Sequence, residues 1–177
     1  MKKKTLALVL ALTLLVAGVV GGTLAWLTDQ TAEVKNTFTV GDINIGLTET
    51  TADYKMVPGN TIAKDPTVTV KANSEACWLF VKVTESTDLK DFITYAIAEG
   101  WTALPGVDGV YYREVPASAA DQTFSVLADD AVTVNTTVTR TMLETAKTDA
   151  PTLTFQAYAI QRDHFATADA AWAEVSK

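Results

Sequence analysis

The sequence predicts an all-β domain, an antiparallel β-sandwich with one or two short helices, behind a helical export leader. Three observations carry that class. Roughly eight or nine short apolar runs alternate with polar residues at period two. Turn-forming Pro, Gly, Asn and Asp punctuate them at short intervals. Only two stretches, Thr139–Lys147 and Thr167–Val175, show helical spacing. Many short strands with few helices read as packed antiparallel sheets rather than an α/β fold.

Lys2, Lys3 and Lys4 open the chain as a basic cluster, and an apolar run from Leu6 to Val20 follows, interrupted only by Thr13 and Gly18. Gly21-Gly22 and the small residues Thr23 and Ala25 complete the layout of a secretory signal peptide over residues 1–25. Cleavage after Ala25 puts Thr23 at −3 and Ala25 at −1 and starts the mature chain near Trp26. The competing reading is an uncleaved anchor. As a helix Leu6–Val20 spans roughly 22 Å against a hydrocarbon core of ~30 Å, and extension through Leu27 brings it to roughly 33 Å. The two glycines oppose that extension at about 1 kcal/mol each relative to Ala. In either case the lysines stay cytoplasmic and the remainder lies outside.

Residues 26–40 form an arm without Pro or Gly, polar over Thr28–Asn36 and ending in Phe38 and Val40. Val34, Phe38 and Val40 share one face by strand parity, and Leu27 falls on the other. The arm is expected either to pair within its own sheet or to donate a strand to another chain. Residues 41–177 are expected to form one sandwich domain. Ile43, Ile45 and Leu47 alternate with polar residues, and Val57-Pro58-Gly59-Asn60 is a turn, with Pro presetting φ and Gly tolerating positive φ. Thr67–Val70 alternates again. Ala76–Val83 is the strongest strand, with Cys77, Leu79, Val81 and Val83 on one face and Trp78 and Phe80 on the other, the mark of a central strand covered on both sides. Extended segments are then expected at Phe92–Ile97, Trp101–Leu104 and Val110–Tyr112, the last two joined by Pro105–Gly109 as a hairpin. Phe124–Leu127 and Val132–Val134 flank Asp129-Asp130. The last strand carries Leu153, Phe155, Ala157 and Ala159 on one parity, and Thr167 is the expected N-cap of the closing helix.

The whole chain carries a net charge of −7, three units more negative once Lys2–Lys4 are removed. Such an acidic body has no basic patch, which excludes nucleic acid as a partner and disfavours anionic lipid. No stable membrane span is expected after processing. The lone Cys77 excludes an intramolecular disulfide and is expected in the core.

Catalytic patterns are missing from the sequence. A zinc protease needs clustered His and carboxylate ligands, and His164 is the single histidine, with no partner at ligand spacing. A Cys77–His164 nucleophile pair requires a thiol exposed on its strand. Asp129-Asp130 and the pair Glu85 and Asp88 are acidic loop candidates for Ca²⁺ without the spacing of a calcium loop. Trp78, Trp101, Tyr111 and Tyr112 offer surfaces for a glycan or peptide, or else cross-strand core contacts. The expectation is a protein that is not an enzyme and uses no metal and no cofactor.

The junction Gly21–Asp29, followed by Asn36-Thr37-Phe38-Thr39-Val40-Gly41-Asp42-Ile43-Asn44-Ile45, resembles the TasA/camelysin family of exported proteins of Gram-positive bacteria. Leu153–Gln161 is similar to that family's last strand, with Ala171-Trp172 following it; Leu24 stands where the family often has an aromatic residue. The resemblance implies a jelly-roll sandwich, processing by a dedicated signal peptidase of the SipW type, and secretion to the cell surface or biofilm matrix. It further implies self-association into fibres by donation of the mature N-terminus, here Leu27, Val34, Phe38 and Val40, as a strand. A monomeric adhesin or ligand-binding module is the alternative, and a camelysin-like secreted metalloprotease is the third reading.

Overall fold

A computed structural model of the chain describes residues 42–50 and 55–177. The signal-peptide residues Thr23, Ala25 and Trp26 and the donor-strand residues Leu27, Val34, Phe38 and Val40 lie outside the described residues. Ten strands and three short helices follow in order: β1 (Ile45–Thr48), β2 (Thr61–Ala63), β3 (Thr67–Val70), β4 (Cys77–Glu85), α1 (Leu89–Phe92), β5 (Ile93–Thr94), β6 (Thr102–Ala103), β7 (Val110–Val115), β8 (Gln122–Ser125), β9 (Ala131–Val134), α2 (Arg140–Thr145), β10 (Leu153–Gln161) and α3 (Ala168–Val175). The fold is mostly β, with three antiparallel sheets and few helices. None of the described helices is long and apolar enough to cross a membrane.

β4 is the spine. Its nine residues pair along their whole length with β10, from Leu153 opposite Glu85 to Gln161 opposite Cys77, and on the other side with β7; β6 completes the order β10-β4-β7-β6. Alternation along β4 then feeds two apolar clusters. Cys77, Leu79, Val81 and Val83 join Val68, Val70, Val115 and Val126 between this sheet and the sheet β1-β3-β8. Trp78 and Phe80 point the other way, against α3, where Trp172 lies 5.3 Å from Phe80 and 5.2 Å from Tyr158, ring centre to ring centre. Each such aromatic pair contributes about 0.5–1.5 kcal/mol beyond its buried area. A strand segment covered on both faces needs apolar side chains at every position, which is why Cys77–Val81 reads as a continuous run before the exposed Lys82.

The third sheet, β2-β9-β5, prolongs the sheet β1-β3-β8. β3 pairs with β8 and β2 with β9, and between them Val126 N–H donates to the Pro66 carbonyl and Lys64 N–H to the Asp130 carbonyl. The five residues Val126–Asp130 therefore oppose the three residues Lys64–Pro66. The excess is taken up by a single 3₁₀ turn at Ala128–Asp130, with Asp129 and Asp130 at φ 56° and 48°. Asp tolerates that left-handed region better than most residues, and an extra-residue insertion in a ladder needs it. Asp129-Asp130 is thus a built bulge.

The turn at Val57–Asn60 closes through Asn60 N–H to the Val57 carbonyl, with Gly59 at φ +81°. Both expected helices are present: Thr167 caps the second as expected, accepting from Ala170 N–H, while Thr139, expected inside the first, is its N-cap and accepts from Met142 N–H. The expected extended segment Phe92–Ile97 needs correction. Leu89–Phe92 is one helical turn, followed by only the two-residue strand β5. Leu89 and Phe92, three residues apart, are both buried with Val134, Val138 and Ala146, so tertiary burial selects the helical turn where Phe92 and Ile93 favour a strand. Phe124–Leu127 is also shorter as a strand than expected, because Val126 and Leu127 turn into the bulge, fully buried.

Candidate functional site

The β1-β3-β8 and β10-β4-β7-β6 sheets face each other across one apolar cluster, which leaves two flanks where their edge strands meet. On one flank Phe124 and Ser125 of β8 lie against Arg113 of β7 and against Trp101. Trp101, just before β6, is buried and donates its indole N–H to the Ser125 carbonyl at 2.8 Å, a direct tie between the sheets. Beside it the Arg113 guanidinium lies 4.0 Å from the centre of the Phe124 ring and 5.3 Å from that of Trp101. Gly100 admits this arrangement: its φ is +85°, and a Cβ there would come within 2.9 Å of Arg113 Nη2. Gly109, at φ +71°, closes the β6–β7 hairpin where a Cβ would run into the Val83 carbonyl.

On the other flank β1 lies alongside β10 without pairing to it. Ile43, Ile45 and Leu47 reach the same cluster as Leu153, Phe155, Ala157 and Ala159, and the two alanines make that side shallow. β10 pairs with β4 along one side only, and among the described residues its other side pairs with no strand. A nine-residue edge therefore presents a row of backbone donors and acceptors. The far end of this flank is tied. Lys64 Nζ sits 2.6 Å from Glu49 Oε1 and 5.4 Å from the centre of the Phe155 ring, and Lys64 is buried. Asp65 accepts from the backbone N–H and the hydroxyl of Thr50, and those hydrogen bonds hold its carboxyl below the usual carboxylate value. An apolar cleft of about 380 Å³ lined by Met56, Ile62, Leu89 and Leu153 borders this end.

The remaining candidates separate. Cys77 is fully buried, and burial pushes its thiol up to about 11, so it stays protonated at neutral pH. His164 is exposed in a 3₁₀ turn. Glu85 accepts from the Tyr95 hydroxyl, whereas Asp88 accepts from Ser86 at 3.0 Å, so the two carboxylates are engaged apart. Glu85, Lys90, Tyr95 and Tyr111 line an open cleft of about 350 Å³. No group of three or more His, Cys, Asp or Glu gathers to hold a metal among the described residues. Trp78 and Trp101 are core residues with their indole N–H groups satisfied by Phe165 and Ser125 carbonyls. Tyr112 meets Trp78 edge-on at 5.8 Å between ring centres, and Tyr111 borders the cleft at Tyr95. Sequence reasoning missed Arg113 and Gly100. A signal existed: Arg113 occupies the core-facing parity of β7, between Tyr111 and Val115. No family model, curated protein or solved structure matches this chain.

Proposed function

We propose that this chain is an exported structural protein of the cell surface or biofilm matrix. Trimming after Ala25 frees residues 26–40, and that arm adds as a strand to the open edge of β10 in a neighbouring copy, building a fibre of jelly-roll subunits. The observation that carries this reading is the nine-residue edge of β10, paired on one side only among the described residues. Strand addition draws affinity from backbone hydrogen bonds and specificity from alternate side chains. Val34, Phe38 and Val40 supply an apolar face, and the shallow wall at Ala157 and Ala159 is suited to receive it. The resemblance of the junction around Gly21–Asp29 to TasA/camelysin proteins supports the same reading, with a SipW-type peptidase as the processing partner and neither catalysis nor a cofactor involved.

The experiment is electron microscopy of the secreted protein beginning at Trp26, beside a protein lacking residues 26–36. Concentration-dependent fibres are expected from the first and dispersed monomers from the second. Fibres from both would sink strand donation. A pair of proline variants locates the acceptor. Neighbouring residues in a strand turn their N–H groups to opposite sides, so of Ala157→Pro and Tyr158→Pro one breaks the β4 ladder and unfolds the domain. The other leaves the domain folded and abolishes fibres. Both variants folding and polymerising normally places the joint elsewhere. The monomeric ligand-binding reading draws on the cleft at Tyr95 and Tyr111, and wild-type protein that never polymerises would favour it.

A further inference from the structure

Arg113 is half-buried on the core-facing side of β7, and its guanidinium makes no hydrogen bond and no ion pair with any described residue. Its Nε is shielded from solvent and has no acceptor. A buried donor left in that state costs about 1–3 kcal/mol and calls for an explanation. The surroundings are built for a cation: Arg113 Cζ lies over the Phe124 and Trp101 rings at 4.0 and 5.3 Å from their centres. Its N–H donors meet no described acceptor. Gly100 stands at its rim, where any Cβ would press on Nη2. Burial also draws the Arg113 pKa below its ordinary value, the direction expected of a charge with no anion beside it. In a chain of net charge −7 carboxylates are plentiful, yet none of the described ones is set against this guanidinium.

We propose that Arg113, backed by Trp101 and Phe124, is a binding site for a carboxylate group. A planar fork of donors matches a two-oxygen acceptor, and the acidic body as a whole repels polyanions more than a single carboxylate. The carboxylate is that of a small acid taken from solution. This site stands independently of fibre assembly.

The test is the Nε–H signal of Arg113 in ¹⁵N-labelled protein beginning at Trp26. The signal is assigned by its loss in Arg113→Lys or, should that variant not fold, by through-bond correlation from the β7 backbone. Acetate is titrated against chloride at equal ionic strength. The signal is expected to move saturably with acetate, with half-saturation in the millimolar range, and not with chloride. A signal that ignores acetate, or that moves equally with chloride, overturns the site.

Discussion

The two flanks of the facing sheets are finished by opposite means. The β8 flank is closed by large side chains: Trp101 ties to the Ser125 carbonyl, and Arg113 fills the space against Phe124. The β10 flank has alanines where the other has a tryptophan, a long edge unpaired among the described residues, and its ties gathered at one end in Glu49–Lys64 and Thr50–Asp65. A sheet edge is blunted either by covering it or by pairing it. The closed flank uses the first solution within the chain. The open flank is left for the second, which is why the proposed joint between subunits is placed there.

That contrast makes measurable demands. Trp101→Ala removes the closure itself. A loss of about 3–5 kcal/mol is expected in urea unfolding, since a buried indole and its hydrogen bond both go; a loss below about 1 kcal/mol would mean the flank is held by something else. Glycines sharpen the comparison. Gly100→Ala is expected to cost about 1–3 kcal/mol because it forces a side chain into a positive φ and against Arg113. Gly46→Ala, in β1 on the open flank, meets nothing within 4 Å and has no such φ. It is expected to gain about 0.5 kcal/mol by restricting the unfolded chain. Equal effects from the two alanines would erase the distinction between the flanks.

The smallest effect is in acid. Asp65 anchors Thr50 beside the open flank, and Asp121 accepts from Ala72 N–H at 2.8 Å and from Lys71 near the start of β8. Hydrogen bonding lowers both folded pKa values below the ordinary 3.8. The unfolded state therefore binds more protons, and the stability each contributes is complete above 3.8 and lost as pH falls through the lower folded value. Melting temperature followed downward from pH 5 should drop later in the Asp65→Asn, Asp121→Asn double variant than in the wild type, from a lower plateau. Parallel curves would show that neither carboxylate is linked to folding.

Much of this was legible along the chain because parity is a local property. The two faces of Cys77–Val83, the strand Thr67–Val70, the hairpin through Pro105–Gly109 and the cap at Thr167 each depend on a few neighbouring residues. The turn Leu89–Phe92 was not legible, since its helical form is selected by burial against Val134, Val138 and Ala146, which are distant in sequence. Asp129-Asp130 read as a solvated or cation-binding loop for the same reason. Its role as a bulge exists only once Lys64–Pro66 is laid opposite it.

Patterning alone determined the all-β class, the spine strand and the two helices, because apolar periodicity and turn chemistry act over spans shorter than a strand. Tertiary structure alone decided which strand edges are covered and which are unpaired among the described residues, and that Arg113 rests on two aromatic rings with no described carboxylate beside it. Edge exposure and charge pairing are set by contacts between residues far apart in sequence, and no local pattern encodes them.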